Sequence, residues 1–307
     1  MGNQKPRTVE EQIERLRIKG MHFLDMEAAK EYLSHISYFR LKYYWKDMVD
    51  PANEDSFLDS ACFDDVISRY NFDRELRLVL FDAIAVIEVA LRTKIISHMS
   101  QAFNNGTWYL DSSLFENRQY HEKFVLDLKR EFNRSTEPFA KEYISNHPDW
   151  NYESLGGATP DAWMIFESAT FGTLSKMFKN LRNQLPQSSR IANDFGHNSV
   201  RDFSNWLECI SVTRNIIAHH SRLWNRAMAK KITSPRRMRG VWLSSPLTEY
   251  QKRKPYGVIA AMLYLCNMVY PDNSVRKKIL ALVSNYPDVP ITSIGFTDVW
   301  QGEALWL

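Results

Sequence analysis

Apolar residues recur at intervals of three and four along much of the chain, the spacing that lines one face of an α-helix. The longest such run extends from about Phe72 to Met99, where Leu76, Val79, Leu80, Ala83, Ile84, Ile87, Leu91 and Ile95 make one broad apolar face. It predicts a central helix. A second long amphipathic segment begins around Ser199, with Phe203, Leu207, Ile210 and Ile217 as its apolar stripe. Glu208, Ser211, Asn215, His219 and Arg222 form a polar stripe beside it.

Shorter elements are marked by their caps. Thr8-Val9-Glu10-Glu11 reads as a capping box opening a helix that stops at Gly20, and Asp25 caps the next. Tyr38 to Trp45 is unusually aromatic, with Arg40 and Lys42 interleaved. Such a stretch either stacks bases and neutralises phosphates or fills a core with its hydroxyls turned outward, the commoner use. Asp50 to Ser56 is a polar loop. Helices are expected over about 117–133 and 137–145, near Pro160 or Asp161, and from Thr170 or Thr173, with a break over Pro186 to Ser189. Leu155-Gly156-Gly157-Ala158 lacks the Gly-Lys-Ser/Thr ending and strand context of a phosphate loop. Beyond it, helices over about 256–269 and 274–285 precede a tail whose apolar end, Ala304 to Leu307, docks either on the chain itself or on a partner.

Composition adds bounds. The 307 residues, 44% hydrophobic with 11 Gly and 12 Pro, suit a folded, helix-rich chain large enough for a sizeable core. Three scattered cysteines, Cys62, Cys209 and Cys266, indicate neither a disulfide framework nor a zinc motif, so reduced thiols are expected. The first residues lack the apolar run of a signal peptide, and no uninterrupted span of about 20 apolar residues occurs. No membrane association is expected, and residence in the cytoplasm is.

Lys and Arg number 39 against 36 Asp and Glu, a net charge of +3 that diagnoses no nucleic-acid partner. Charge therefore has to be read locally. Arg222, Arg226, Lys230, Lys231, Arg236, Arg237, Arg239, Lys252, Arg253 and Lys254 fall in a segment where Glu249 is the sole carboxylate between 221 and 254. Such a segment either meets a polyanion, releasing counterions, or is a basic surface loop.

The chemistry concentrates in Arg214-Asn215-Ile216-Ile217-Ala218-His219-His220. Histidine ionises near pH 6.5 and transfers protons at neutral pH, while arginine grips a phosphate bidentately. Asn215 and His219, four apart, share a face, but Arg214 and His219 would leave an ideal helix about 140° apart. They meet at one phosphate if the helix ends or bends there, or if two copies come together. An arginine within an apolar stripe must be paired or meet an anion, so the bland reading pairs Arg214 with a neighbouring carboxylate and makes His219 a cap or surface residue. His219 and His220, being adjacent, do not suit one metal ion, and no cofactor is expected.

Residues 214–226, Arg-Asn-Ile-Ile-Ala-His-His-Ser-Arg-Leu-Trp-Asn-Arg, resemble the abortive-infection proteins of the AbiD/AbiF type, which belong to the wider HEPN group. Ile36 to Trp45 and Ile87 to Ile95 resemble the same family, in the same order. The resemblance spans roughly residues 8–226. It implies an all-α fold: a HEPN-like bundle over 59–226, an N-terminal helical region over 1–58, and a basic linker with a C-terminal helical extension over 227–307. It also implies a metal-independent endoribonuclease site built on R-x4–6-H, usually completed by dimerisation, and a role in phage defence or toxin-like growth arrest. The partners so implied are RNA, as substrate or as a regulatory non-coding RNA, a second copy of the chain, and an antitoxin.

On this reading Arg214 stabilises a phosphorane, His219 transfers the proton, Asn215 orients and His220 assists or neighbours structurally. Glu88 and Arg92, four apart at the edge of the central apolar face, orient an active-site side chain and hold RNA, or form a structural polar cluster. Arg40 and Arg222 are further RNA-binding candidates. Two other classes stay open, a non-catalytic RNA-binding module and a protein-interaction component of a defence system.

Overall fold

The computed structural model describes residues 5–235 and 237–307. Among them every regular element is helical, and strand-like pairing is limited to isolated bridges.

Thr8 and Glu11 exchange both capping bonds at the start of α1 (Val9–Ile18), and the Asp25 carboxylate accepts from the Ala28 amide to start α2 (Met26–His35). Ser37 caps the single turn of α3 (Tyr38–Leu41). The predicted central helix is longer than its apolar run: α4 spans Phe63–Phe103, 41 residues, or about 60 Å at 1.5 Å per residue. Of the residues that predicted its apolar face, all but Val79 are buried.

The middle of the chain supplies α5 (Arg118–Asn133), α6 (Pro138–Asn146), the single turn α7 (Ala162–Ile165) and α8 (Phe171–Asn180), which Thr170 caps. The expected break at Pro186 is instead the start of α9 (Pro186–Asp194). Proline at the first helical position loses only an amide hydrogen that has no helical partner there, and its fixed φ suits the helix. Ser199 then caps α10 (Val200–Ala218), and α11 (Pro255–Val269) and α12 (Val275–Asn285) follow.

α9, α11 and α12 all pack on α4, while α8 lies against both α5 and α10. Every residue of α11 from Pro255 to Cys266 is buried, so this helix runs through the centre with no solvent face. Gly257 fits there because a Cβ would come within 2.8 Å of the Gln251 carbonyl oxygen. The apolar tail docks on its own chain: Leu305 and Trp306 are buried, and Trp306 packs against Phe296, Trp300 and Tyr256. Among the described residues no helix is long and apolar enough to cross a membrane.

Candidate functional site at the end of α10

The R-x4-H motif sits where α10 ends. His220 takes a left-handed conformation, φ 53°. Its amide donates to the Ile217 carbonyl at 2.9 Å and the Ser221 amide to the Ile216 carbonyl at 2.9 Å. This pair of reverse bonds closes the helix at the position where glycine is usual. Asn215, His219 and His220 are all exposed.

A buried polar cluster of Tyr44, just past α3, with Arg69, Asp73 and Arg77 of α4 fixes the chain leaving this turn. The Asp73 carboxylate accepts from the amides of Leu223 (2.9 Å) and Trp224 (2.7 Å) through one oxygen, and from the Tyr44 hydroxyl (2.7 Å) through the other. Arg77, one turn along α4, donates to the His220 carbonyl at 2.6 Å and lies 3.6 Å from Asp73. Burial pushes the Asp73 carboxyl above its usual range, against the pull of Arg77, the Tyr44 hydroxyl and the two amides. Arg69 donates to Asp47 and the Tyr44 carbonyl, both at 2.8 Å, with its guanidinium 5.5 Å from the Trp224 ring.

Arg40 and Arg222 belong to this anchor. Arg40 donates to the His220 carbonyl, and Arg222 donates to the Trp224 carbonyl while lying 4.6 Å from the centre of the Tyr43 ring. Tyr44, expected to turn its hydroxyl outward if buried, turns it inward to Asp73, because a buried carboxylate there needs donors.

Arg214 lies within electrostatic reach of Glu88 on α4. It is half-buried, and among the described residues no hydrogen bond or ion pair engages it. Its nearest acidic influence is Glu88: burial raises the Glu88 carboxyl, and the charges of Arg92 and then Arg214 draw it back down. Arg92 lies 3.3 Å from Glu88 and 3.4 Å from Glu167, and donates to the Ala169 carbonyl at 3.0 Å. Its Nε is buried without a partner. Glu131 of α5 accepts from the Thr170 amide (3.2 Å) and the Thr173 hydroxyl (2.8 Å), tying α5 to the cap of α8.

The proposed residues therefore fall into two groups. Glu88, Arg92 and Arg214 share one polar cluster, while Arg40, Arg222 and His220 share the anchored turn. α10 ends at Ala218 with His219 as its C-cap, φ −90° and ψ 15°; an undistorted helix would set the His219 side chain about 140° from Arg214.

The basic segment is partly neutralised internally. Lys230 and Lys179 pair with Glu208, and Lys231 and Lys252 with Glu249, whose carboxyl is lowered to about 2 chiefly by those two bonds. Lys254 donates to the Asn225 side chain and the Ser293 carbonyl, and Arg239 to the Asn198 side chain. Arg237 and Arg253 stay exposed, and Arg236 lies outside the described residues.

Asp73, Arg77 and Arg69 were not among the residues singled out in the sequence, yet a signal for them is present. They stand at four-residue intervals in line with the apolar face of α4, where charges require partners. Among the described residues no group of three His, Cys, Asp or Glu side chains is arranged to hold a metal ion.

Comparison with known proteins adds one finding. The family model described as "Abi-like protein" matches residues 31–225. That span begins before the aromatic segment and ends just past the anchored turn. No curated protein and no solved structure gives a significant match.

Proposed function

The chain belongs to the Abi-like protein family, which suggests a role in abortive-infection phage defence, and on that premise we propose that it is a metal-independent endoribonuclease acting through the motif at the end of α10. The observation that carries this reading is the motif's setting. Exposed Asn215, in the last turn of α10, and exposed His219, its C-cap, lead into a turn braced by buried charges, and Arg214 has no hydrogen-bonded partner among the described residues.

Histidine as general base removes the proton from a ribose 2′-hydroxyl, and the 2′-oxygen attacks the adjacent phosphorus. The bond from phosphorus to the 5′-oxygen breaks, and a protonated histidine returns a proton to that oxygen. The products are a 2′,3′-cyclic phosphate and a 5′-hydroxyl. Arg214 holds the extra negative charge of the phosphorane bidentately, which a lysine does poorly. Asn215, on the side of α10 shared with His219, orients the imidazole or the phosphate.

On helical geometry Arg214 and His219 leave α10 about 140° apart, so the proposed site draws on two copies. Support comes from α4, where Leu78, Phe81, Ala85 and Val89 form an exposed apolar stripe. Leu78 is 63%, Phe81 47% and Val89 58% exposed, unusual for the central helix of a fold. The stripe runs beside Glu88 and Arg92, and a second copy seated on it brings the two motif regions near each other.

The test is cleavage of a mixed RNA pool in EDTA. His219→Ala is expected to lower the rate about 10²–10⁴-fold and Arg214→Lys about 10²–10³-fold, with circular dichroism unchanged. A folded wild type that binds RNA without cutting under any condition would make the protein a binding module instead.

A further inference from the structure

Resting on the RNA-cleaving reading of the α10 terminus, we infer that α3 and the turn after it form a docking subsite for an unpaired nucleotide flanking the scissile phosphate. A cavity of about 230 Å³ lies here, lined by Phe39, Lys42, Tyr43, Trp45, Lys46 and Val49. Phe39 is 69% exposed, a large apolar ring left standing in water beside a core that buries Tyr44 and Trp45. It meets Tyr43 edge-on, with ring centres 5.8 Å apart and planes at 90°. Neither ring is therefore covered flat by the other. Arg222 lies over Tyr43, leaving Phe39 as the platform for an incoming base.

The charges favour a polyanion. No carboxylate lines the cavity, and among the described residues no ion pair engages Lys42 or Lys46. The nearest acid in sequence, Asp47, is held by Arg69 at 2.8 Å. Two uncompensated ammonium groups beside an open aromatic face recognise a phosphate and its base together. A second copy of this face would bring like charges into contact.

Two cations join the subsite to the motif. Arg40 of α3 donates to the His220 carbonyl, and Arg222, two residues past His220, stacks on Tyr43 of the cavity wall. These contacts hold the turn after His219 against the segment that carries Phe39. Arg40 and Arg222 are positioning residues in this arrangement, while Phe39, Lys42 and Lys46 touch the RNA.

The experiment titrates the full chain against a fluorescent single-stranded 2′-O-methyl RNA 12-mer, which offers no free 2′-hydroxyl and is not cleaved. Phe39→Ala is expected to weaken binding about tenfold or more, and Phe39→Trp to preserve it. Lys42→Gln with Lys46→Gln is expected to flatten the slope of log affinity against log salt by about 1.4, the loss of two phosphate contacts. Binding to a blunt duplex of the same length is expected to stay unchanged in Phe39→Ala.

If these folded variants bind the single strand as wild type does, the subsite is wrong even where wild type cuts RNA. It is equally wrong if Phe39→Ala changes only the mass of the protein in solution, which would make this face a protein contact. If Phe39→Ala weakens binding while Arg214→Ala and His219→Ala cut normally, the subsite stands and the catalytic assignment falls. Wild type with no affinity for single-stranded RNA overturns both.

Discussion

At the residue scale, the two ends of the chemistry differ in how visible they are in the sequence. Arg214 stands out as a cation in an apolar stripe, and among the described residues no hydrogen bond or ion pair closes on it, while its charge helps draw the Glu88 carboxyl down. His219 is legible both as a proton carrier and as a cap, and it is the C-cap; what the sequence does not mark is the left-handed His220 after it, where glycine or asparagine is usual. His197 gives no signal at all. It is fully buried against Phe203, Trp206 and Tyr264, with both ring nitrogens unpartnered, and burial lowers it to about 4. The unfolded chain takes up a proton near pH 6.5, which the folded chain refuses until about 4. Stability is therefore full above about pH 6.5 and falls as pH drops toward 4, by at most about 3 kcal/mol from this residue. Urea unfolding at pH 7.5, 6 and 4.5 checks it. His197→Phe is expected to remove this part of the acid loss, and an unchanged pH slope in the variant would contradict the assignment.

At the scale of elements, helix positions follow from caps and period: Thr8, Asp25, Thr170 and Ser199 each stand where the sequence puts a helix start. Pro186 reads as a break, wrongly, because the same residue both breaks a helix interior and opens a helix, and the sequence around it offers no side-chain cap to decide. What holds α10 to α3 and α4 is not legible, since the Asp73 bonds span about 150 residues of sequence and join a side chain to backbone amides. Those bonds set the expected energetics. Asp73→Ala leaves Arg77 without its carboxylate and two buried amides unpaired, a loss of about 3–5 kcal/mol. Equilibrium urea denaturation measures it, and a loss under about 1 kcal/mol would mean that the turn after α10 is held by something else.

At the scale of the molecule, helical class, the R-x4-H motif and the angle of about 140° between Arg214 and His219 on an ideal helix can be read in advance, while the buried anchor behind the motif requires the structure. Periodicity says which face of α4 is apolar. It does not say that α9, α11 and α12 leave the adjoining stripe of Leu78, Phe81, Ala85 and Val89 uncovered. If that stripe seats a second copy, Phe81→Glu is expected to halve the mass seen by analytical ultracentrifugation and to abolish RNA cleavage. As an exposed position it should cost only about 0.5 kcal/mol of fold stability. A variant of unchanged mass would remove this face from the account. If histidine and arginine cut RNA through the neighbouring 2′-hydroxyl, the chemistry of the ends left by wild type in EDTA shows it first. Wild type is expected to leave 2′,3′-cyclic phosphates and 5′-hydroxyls, absent when folded His219→Ala replaces it. Ends bearing a 5′-phosphate, or cleavage that disappears with the chelator, would contradict this chemistry.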